Sequence, residues 1–226
     1  MVVVPPVDEL DLVGPLQVFN SVNRLAARTI YRIEVVTAAD RLTVEGEGGV
    51  LSFIARHHFN KVEGACDSVL LVCGLGSRSR RDAVLSAWLN KMAGGVRRLG
   101  AVCVGSFLLA EAGLLNGRRA TTHWAYTDLL PLVGATYEKA RVVKDGNVIT
   151  GGGVTAGIDF GLSVIAEIAG ETTAKRIQLG IEYDPAPPFD SGHPDKAPAL
   201  RSELMSARYN EFRAVYRKLI EQGVPV

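Results

Sequence analysis

The chain has 226 residues, of which 47% are hydrophobic and 22% are charged, and this composition argues against disorder and against a coiled coil. Its 25 basic and 24 acidic residues leave a formal net charge of +1, so no excess of positive charge attracts nucleic acid or an anionic membrane. We therefore expect neither of these as a partner. A chain of this length buries enough surface to fold without a disulfide or a metal.

Three cysteines, Cys66, Cys73 and Cys103, are too few and too scattered for a disulfide framework or a zinc site. No basic residue precedes Arg24, so the pattern of a secretory signal is not met. No stretch approaches the ~18 consecutive apolar residues of a membrane span. These features predict a cytoplasmic protein with reduced thiols and no bound metal.

Short β-rich segments alternate with helical patterns in the first part of the chain. Apolar residues recur at steps of three and four after Asp11, which predicts a helix. The nearly all-apolar run at 68–72 is typical of a strand buried on both faces of a parallel sheet. The predicted elements here are a strand at 2–4, the helix that follows Asp11, a strand at 31–38, two short β segments around the glycines at 46–49, and the strand at 68–72.

The alternation continues to the end of the chain. The glycine pair at 94–95 ends a predicted helix, and five of the ten prolines fall within 184–198, which predicts an extended loop. The predicted helices lie at 79–93, 105–115, 124–132, from about 156, at 172–181 and at 199–222, and the predicted strands at 99–102, 118–122, 137–143 and 147–150.

This order of elements predicts an α/β fold, a mainly parallel sheet with helices on both faces. No repeat, low-complexity tract or linker divides the sequence. We therefore expect residues 1–226 to form one domain with a C-terminal helical extension from about residue 199. The apolar stripe of that extension predicts packing on its own domain, with a dimer contact as the alternative.

The strand at 99–102 leads directly into Cys103 and then into a helix, which is the layout of a nucleophile elbow. Such a turn needs small residues two positions before and after the nucleophile, where Ala101 and Gly105 stand. The thiol would face a helix N-terminus, whose positive end favours a thiolate. We interpret Cys103 as a nucleophile, and the alternative is a buried cysteine that acts as a small hydrophobic residue.

Acidic residues follow the first strand, at the end of a parallel sheet where chemistry collects. Asp11 either caps the following helix or, beside a thiolate, has its pKa raised by like charge and burial and holds a proton for transfer. Cys73 ends another buried strand, directly before Gly74. Packing is its favoured interpretation, and the alternative is a redox partner for Cys103 if the two strands are neighbours.

Two further segments stand at predicted strand ends. His123 and Trp124 follow the strand at 118–122, and the histidine is interpreted as a hydrogen-bonded wall residue rather than a base. A glycine-rich run at 151–157, which includes Gly153 and Thr155, opens a helix. Its spacing fits no nucleotide-binding pattern, so we interpret it as a close-packed wall of a pocket.

Four segments together resemble the DJ-1/PfpI (ThiJ) superfamily, and within it the stretch 176–190 is most similar to isonitrile hydratases, also called cyclohexyl-isocyanide hydratases. The resemblance runs from about residue 2 to residue 198. It implies a flavodoxin-like three-layer α/β sandwich of the class I glutamine amidotransferase type, a homodimer, and no metal or organic cofactor. The four segments are Leu-Asp-Leu-Val-Gly-Pro at 10–15, Ala-Val-Cys-Val-Gly at 101–105, Ala-Thr-Thr-His-Trp at 120–124 and the run 151–159.

The resemblance also implies an activity and residue roles. The activity is that of a lyase which hydrates a small isonitrile to an N-substituted formamide. Cys103 matches the nucleophilic cysteine and Asp11 the acidic partner of the hydratases. The amides of Gly74 and Val104, with neighbouring Leu75, match the positions where the superfamily binds a developing negative charge.

Three features depart from the usual hydratase pattern. Val104 stands where the hydratases have threonine, and Cys73-Gly74-Leu75 stands where they have Pro-Gly-Gly. The first strand is several residues shorter at its start. The missing hydroxyl at Val104 predicts a slow enzyme or one with a shifted substrate.

Two other classes of function remain open. One is a non-catalytic regulator of this family that binds a small molecule or senses oxidation at Cys103; a chain of 226 residues leaves no room for the DNA-binding domains that accompany such regulators. The other is a glyoxalase or deglycase, with His123 as its base. Peptide hydrolysis is least favoured, because protease-like members carry histidine where Val104 stands.

Overall fold

Ten strands and seven α-helices make up the regular structure of the described chain. A computed structural model describes residues 1–26, 28–62, 64–74 and 82–222. The strands are Val2–Val4 (β1), Val36–Thr37 (β2), Thr43–Glu45 (β3), Ser52–Ile54 (β4), Ser68–Cys73 (β5), Arg98–Val102 (β6), Arg119–Ala120 (β7), Thr136–Tyr137 (β8), Val142–Asp145 (β9) and Val148–Gly151 (β10). The helices are Glu9–Leu25 (α1), Ala83–Ala93 (α2), Ser106–Glu111 (α3), Ala156–Ala169 (α4), Glu171–Gly180 (α5), Pro198–Leu204 (α6) and Asn210–Glu221 (α7).

The central sheet has six strands in the order β2-β1-β5-β6-β10-β9. All neighbouring pairs are parallel except β10 and β9, which are antiparallel. The middle strands are built from apolar residues, and the last five residues of β5 are all buried, because helices cover both faces of the sheet. The predicted mainly parallel α/β sheet is confirmed.

Helices form the two outer layers. On one side α1 packs against α4 and α5, and apolar residues of all three helices form a common cluster. On the other side α2 packs against α3. The members of the first cluster are Val18, Val22, Ile165, Ala174 and Ile177.

The parallel strands bring four chain segments to one edge of the sheet. The carboxyl ends of β1, β5, β6 and β10 lie side by side, and each runs into a segment that carries a predicted site residue. These segments hold Asp11, Gly74, Cys103 and Gly153. Parallel pairing therefore assembles a site from residues that are far apart in sequence.

Several predicted elements differ in extent. The strand predicted at 31–38 is reduced to Val36–Thr37, because the side chain of Asn23 accepts hydrogen bonds from the backbone N–H groups of Ile30 and Tyr31 and ties that segment to α1. The helix predicted at 105–115 begins with a 3₁₀ turn at Cys103–Gly105 and ends at Glu111. The segment at 124–132 forms two 3₁₀ turns rather than an α-helix.

The predicted C-terminal helix is present but interrupted. Between α6 and α7, residues Met205–Tyr209 form a π-helical turn. The start of the helix predicted at 79–93 lies outside the described residues as far as Arg81; α2 begins at Ala83, where the Asp82 side chain accepts a hydrogen bond from the Leu85 N–H. One core cluster includes both Val2 and Tyr216, so the C-terminal helix packs on the same core as the first strand.

Candidate active site

The turn after β6 holds Cys103 in an unusual backbone conformation. Its φ is +58°, a region that residues with a side chain rarely adopt and that costs of order 1–3 kcal/mol. Hydrogen bonds fix this conformation: the Cys103 N–H donates to the Gly152 carbonyl at 2.9 Å, and its carbonyl accepts from the hydroxyls of Thr122 at 2.9 Å and Ser106 at 3.3 Å. The strained turn from strand to helix that the sequence predicts at Cys103 is present.

Close approach of the chain explains the small residues around the elbow. A Cβ atom at Gly105 would lie 2.9 Å from the carbonyl oxygen of Leu71 on the neighbouring strand, and 3.7 Å from the Cβ of Ala101. Any side chain at Gly105 would therefore collide with the backbone of β5. The spacing predicted from the sequence has a steric cause.

Burial is the main influence on the ionisation of the Cys103 thiol. Burial, above all, raises the pKa of Cys103 well above its usual range, and the neighbouring Asp11 and Cys73 add to the increase. Backbone hydrogen bonds from Val104 and Val154 oppose it. Burial therefore opposes the ionised sulfur that the helix N-terminus favours.

Asp11 is fully buried in the first turn of α1. The helix begins at Glu9 with Asp8 as its N-cap residue, so the capping interpretation of Asp11 is wrong. Burial raises the pKa of Asp11 to about 8, and the charge of Asp8 adds to the effect. At neutral pH the carboxyl group is therefore a neutral acid.

Asp11 and Cys103 are in loose contact. Hydrogen bonding with Cys103 lowers the pKa of Asp11 in part, although neither carboxyl oxygen has a partner of good geometry among the described residues. Catalytic hydrogen bonds are often long before substrate binds and shorten in the complex. The arrangement provides a thiol and a protonated acid on neighbouring elements of a buried site.

The backbone donors at the site differ from those that the resemblance implies. The Gly74 N–H already donates to the Pro6 carbonyl at 2.7 Å, so in this structure it does not point at the Cys103 sulfur. Leu75 lies outside the described residues. The N–H groups that reach Cys103 belong to Val104, as expected, and to Val154, which sequence reasoning did not single out.

His123 forms part of the wall of the site. Its ring is 8% exposed, and its Nδ1 accepts a hydrogen bond from the Ala125 N–H at 3.3 Å. Burial, with a smaller effect from the charge of Arg208, lowers the pKa of His123 to about 4, so the ring is neutral at physiological pH and a weak base. A Cβ at Gly153 would lie 2.6 Å from this ring, which explains the glycine there.

Thr155 and Trp124 border an open cleft beside the site. The cleft has a volume of about 410 Å³ and is also lined by His123, Gly153 and Arg141. Thr155 is exposed, and its hydroxyl accepts a hydrogen bond from Arg141 at 3.1 Å. Thr155 therefore faces this cleft, whose lining does not include Cys103.

Some residues of the site could not be found by reading the sequence. Glu47, from the turn after β3, and Arg208, from the C-terminal helix, form an ion pair at 3.2 Å. The ring of Tyr209 contacts His123 at a centroid distance of 5.2 Å. No motif marks these residues, because they come from distant segments that meet only in the folded chain.

Cys73 lies on the strand next to the elbow strand, as the redox alternative required. β5 and β6 are neighbours, and Leu71 pairs with Ala101 in their register. Cys73 is fully buried, and neither Cys73 nor Cys103 is joined in a disulfide. Because β5 and β6 are neighbours, the geometric requirement of the redox alternative is met. The burial of Cys73 fits a packing role equally well.

Comparison with known proteins identifies the family of the chain. Residues 1–167, which include the elbow and Asp11, match the sequence profile of the DJ-1/PfpI family. The chain belongs to the DJ-1/PfpI family. Within the described residues, no helix is long and apolar enough to cross a membrane, and no group of three or more His, Cys, Asp or Glu side chains is arranged to hold a metal.

Relatives of this DJ-1/PfpI protein include an enzyme and a regulator. Isonitrile hydratase of Pseudomonas putida is 42% identical over 200 residues, which are 86% of this chain and 82% of the hydratase. The HTH-type transcriptional regulator CdhR of Pseudomonas aeruginosa is 37% identical over 115 residues, only 34% of its length. A crystal structure of a THiJ/PfpI family protein from Pseudomonas syringae has a TM-score of 0.82 and 36% identity, covering 95% of this chain and 88% of that protein.

Proposed function

We propose that this protein is a lyase of the isonitrile hydratase type, which converts an isonitrile and water into an N-substituted formamide. The proposal is carried by one observation, the buried pair of a strained cysteine thiol and a neutral carboxylic acid, Cys103 and Asp11. The similarity to the P. putida isonitrile hydratase supports it.

The first step is addition of the S–H group to the terminal carbon of the isonitrile. Asp11, as a neutral acid, donates its proton to this carbon, which has a lone pair and becomes electrophilic once protonated. The Cys103 sulfur then bonds to the carbon, and its proton passes to the Asp11 carboxylate. The product is a thioimidate on Cys103, and Asp11 is protonated again, so the step needs no thiolate in the resting protein.

The second step is hydrolysis of the thioimidate. Water adds to the C=N carbon, and the nitrogen takes up a proton to give a tetrahedral adduct. Collapse of this adduct breaks the C–S bond, releases the N-substituted formamide and returns the proton to sulfur. The Val104 and Val154 amides stabilise negative charge on the sulfur as it leaves, and general acid assistance of this kind contributes typically about 10²–10⁴-fold.

Substitution of the two central residues tests the proposal. Formamide production from cyclohexyl isocyanide, followed by chromatography, should be abolished in both Cys103→Ala and Asp11→Asn. Cys66→Ala is the matched control, because Cys66 is half-buried before β5 and away from the elbow; it should retain wild-type activity. Formamide production that survives both site substitutions would rule the scheme out.

A regulatory role is the second candidate, and the similarity to part of CdhR favours it. A buried thiol is also suited to a protein that binds a small molecule without turning it over. Binding of an isonitrile or an α-oxoaldehyde by calorimetry, without turnover of either, would support this class over the enzyme.

Glyoxalase or deglycase activity is less well supported. It requires a base near the thiol, and the neutral His123, with its pKa lowered to about 4, is poorly suited to that role. Incubation with methylglyoxal, followed by an assay for lactate, separates this chemistry from hydration.

The assembly and compartment follow as parts of the same proposal. We propose a homodimer in which the start of α1 and the β3–β4 hairpin, which are joined by the bridge between Val7 and Gly46, form the contact. Their exposed apolar side chains, Leu10, Val13, Val50 and Ile54, support this surface. Light scattering should give the mass of two chains.

The reaction needs Cys103 as a reduced thiol, which suits a reducing compartment such as the cytoplasm.

A further inference from the structure

The C-terminal helix changes its geometry where it passes the candidate active site. The π-helical turn Met205–Tyr209 separates α6 from α7. Such turns are rare and occur frequently at functional sites. An additional residue in the turn rotates the side chains that follow, and here the turn presents Arg208 and Tyr209 to the residues around Cys103.

Tyr209 sits in a cluster of aromatic rings beside the nucleophile. Its ring centroid lies 5.2 Å from those of His123 and Trp124, the latter edge-on, and 6.2 Å from that of Tyr126. Cys103 is only 3% exposed. The ring of Tyr209 therefore packs on His123, the residue that follows Thr122, whose hydroxyl donates to the Cys103 carbonyl.

The Tyr209 hydroxyl is partly buried, and its ionisation is affected by nearby charged residues. Burial raises the pKa of the Tyr209 phenol, and the charges of Asp8 and Glu47 add to this increase. The charge of Arg208 opposes it. The Tyr209 phenol is therefore neutral at physiological pH.

Ion pairs hold the π-helical turn against the rest of the molecule. Before Tyr209, Arg208 pairs with Glu47 at 3.2 Å. After it, Arg213 forms a two-armed contact with Asp128, with both N···O distances 2.7 Å, and also donates to the Ala125 carbonyl. Because the turn is fixed on both sides, the position of Tyr209 is defined rather than free.

We propose that Tyr209 is a specificity-determining residue whose ring forms the pocket wall that contacts the N-substituent of the substrate. The inference rests on the proposed function and names the substrate class of the same site. The wall, made of neutral aromatic rings, fits isonitriles with an uncharged, apolar substituent. Asp8 and Glu47 at the rim disfavour substituents with a carboxylate. The bulk of Tyr209 sets the largest substituent that the pocket accepts.

Substrate size is the readout that tests the proposal. Values of kcat/KM are measured for methyl isocyanide and cyclohexyl isocyanide with the wild type, Tyr209→Ala and Tyr209→Phe. Removal of the ring should raise the kcat/KM for cyclohexyl isocyanide, relative to that for methyl isocyanide, by about tenfold. This is the usual scale of discrimination by an apolar pocket. Tyr209→Phe keeps the ring and should leave the ratio unchanged.

Phe212→Ala is the matched control for loss of packing on the same helix. Phe212 is partly buried against the core and is absent from the ring contacts that surround Tyr209. Phe212→Ala should change kcat/KM by the same factor for methyl isocyanide and cyclohexyl isocyanide, because loosening of the helix does not discriminate by substrate size. If Tyr209→Ala fails to fold, Tyr209→Leu supports the same comparison with a smaller loss of apolar volume.

A second readout does not depend on hydratase turnover. The rates at which iodoacetamide and its bulkier N-benzyl derivative alkylate Cys103 are measured by mass mapping of the Cys103 peptide. The substitution of Tyr209 by Ala should accelerate the bulky reagent more than the small one. If the wild type has no hydratase activity but this shift occurs, the proposed function fails and the wall role stands. If Tyr209→Ala changes neither the kcat/KM ratio of the two isocyanides nor the rate ratio of the two alkylating reagents, the role of Tyr209 is overturned.

Discussion

Two buried ionisable groups, Cys103 and Asp11, dominate the candidate site at the residue scale. The sequence predicted that Cys103 and Asp11 act together and that the pKa of Asp11 is raised, and the structure gives that carboxyl a pKa of about 8. The sequence predicted an ionised sulfur, and the structure adds burial, which opposes ionisation. A helix N-terminus is visible in a sequence, whereas the degree of burial that opposes it depends on side chains from many segments.

The raised pKa of Asp11 predicts a pH dependence of activity. Protonation of the isonitrile carbon requires the neutral acid, so kcat/KM should be constant below about pH 7 and fall as the pH rises through about 8. Above this value a single essential proton gives a fall of roughly tenfold per pH unit. A pH–rate profile checks it, and activity that keeps rising through pH 9 would contradict the role of Asp11 as an acid.

The same group predicts a pH dependence of stability. Because the folded pKa of Asp11 lies above its unfolded value of 3.8, its favourable contribution is complete below about pH 4 and is lost as the pH rises through about 8. The free energy of unfolding should therefore fall between pH 5 and 9 more steeply for the wild type than for Asp11→Asn. Urea unfolding at several pH values measures both slopes, and equal slopes would count against the raised pKa.

Val104 is the clearest departure from the usual hydratase pattern at this scale. It follows the nucleophile, is fully buried and offers the site no hydroxyl. Val104→Thr should raise the rate of formamide production, because the added hydroxyl can orient water or substrate. Initial rates for both proteins check this, and a variant without any gain would show that the valine is not what limits the enzyme.

At the scale of elements, the strands and helices that pack into the sheet were the best predicted. Long apolar runs such as β5 and periodic stripes such as that of α1 carry their own signal. The segment at 31–38 was predicted poorly because the Asn23 side chain, rather than a neighbouring strand, bonds its backbone. The π-helical turn had no signal, since its sequence remains compatible with a regular helix.

The fit between β5 and the elbow gives a prediction about an element. Gly105→Ala should lower the free energy of unfolding by about 1–3 kcal/mol, because the new Cβ would lie 2.9 Å from the Leu71 carbonyl and force the strands apart. Gly94→Ala is the control, since Gly94 has a φ of −74° and open space around its Cα. Denaturant unfolding compares the two, and an equal effect on stability would contradict the steric account.

The candidate site shows which of its residues can be predicted from the sequence alone. Cys103, Asp11 and His123 were singled out because they follow predicted strands, and Val104 was singled out through the family resemblance. Tyr209 comes from the far end of the chain and was not. Contacts between segments with no local pattern become visible only when the chain is folded.

At the scale of the whole molecule, one core joins the two ends of the chain. Val2 and Tyr216 belong to the same buried cluster, so we propose that residues 1–226 unfold as one domain, with the C-terminal helix included. Calorimetry should show a single transition, and circular dichroism and tryptophan fluorescence should coincide during denaturation. A separate early transition for the helix would contradict this.

The proposed hydration mechanism depends on a covalent bond between Cys103 and the isonitrile carbon. Intact-mass spectrometry after rapid mixing with cyclohexyl isocyanide tests it most directly. The wild type should gain the mass of one isonitrile, located on the Cys103 peptide, before formamide is released. Formamide produced without any such adduct, or an adduct that maps to another residue, would contradict the mechanism.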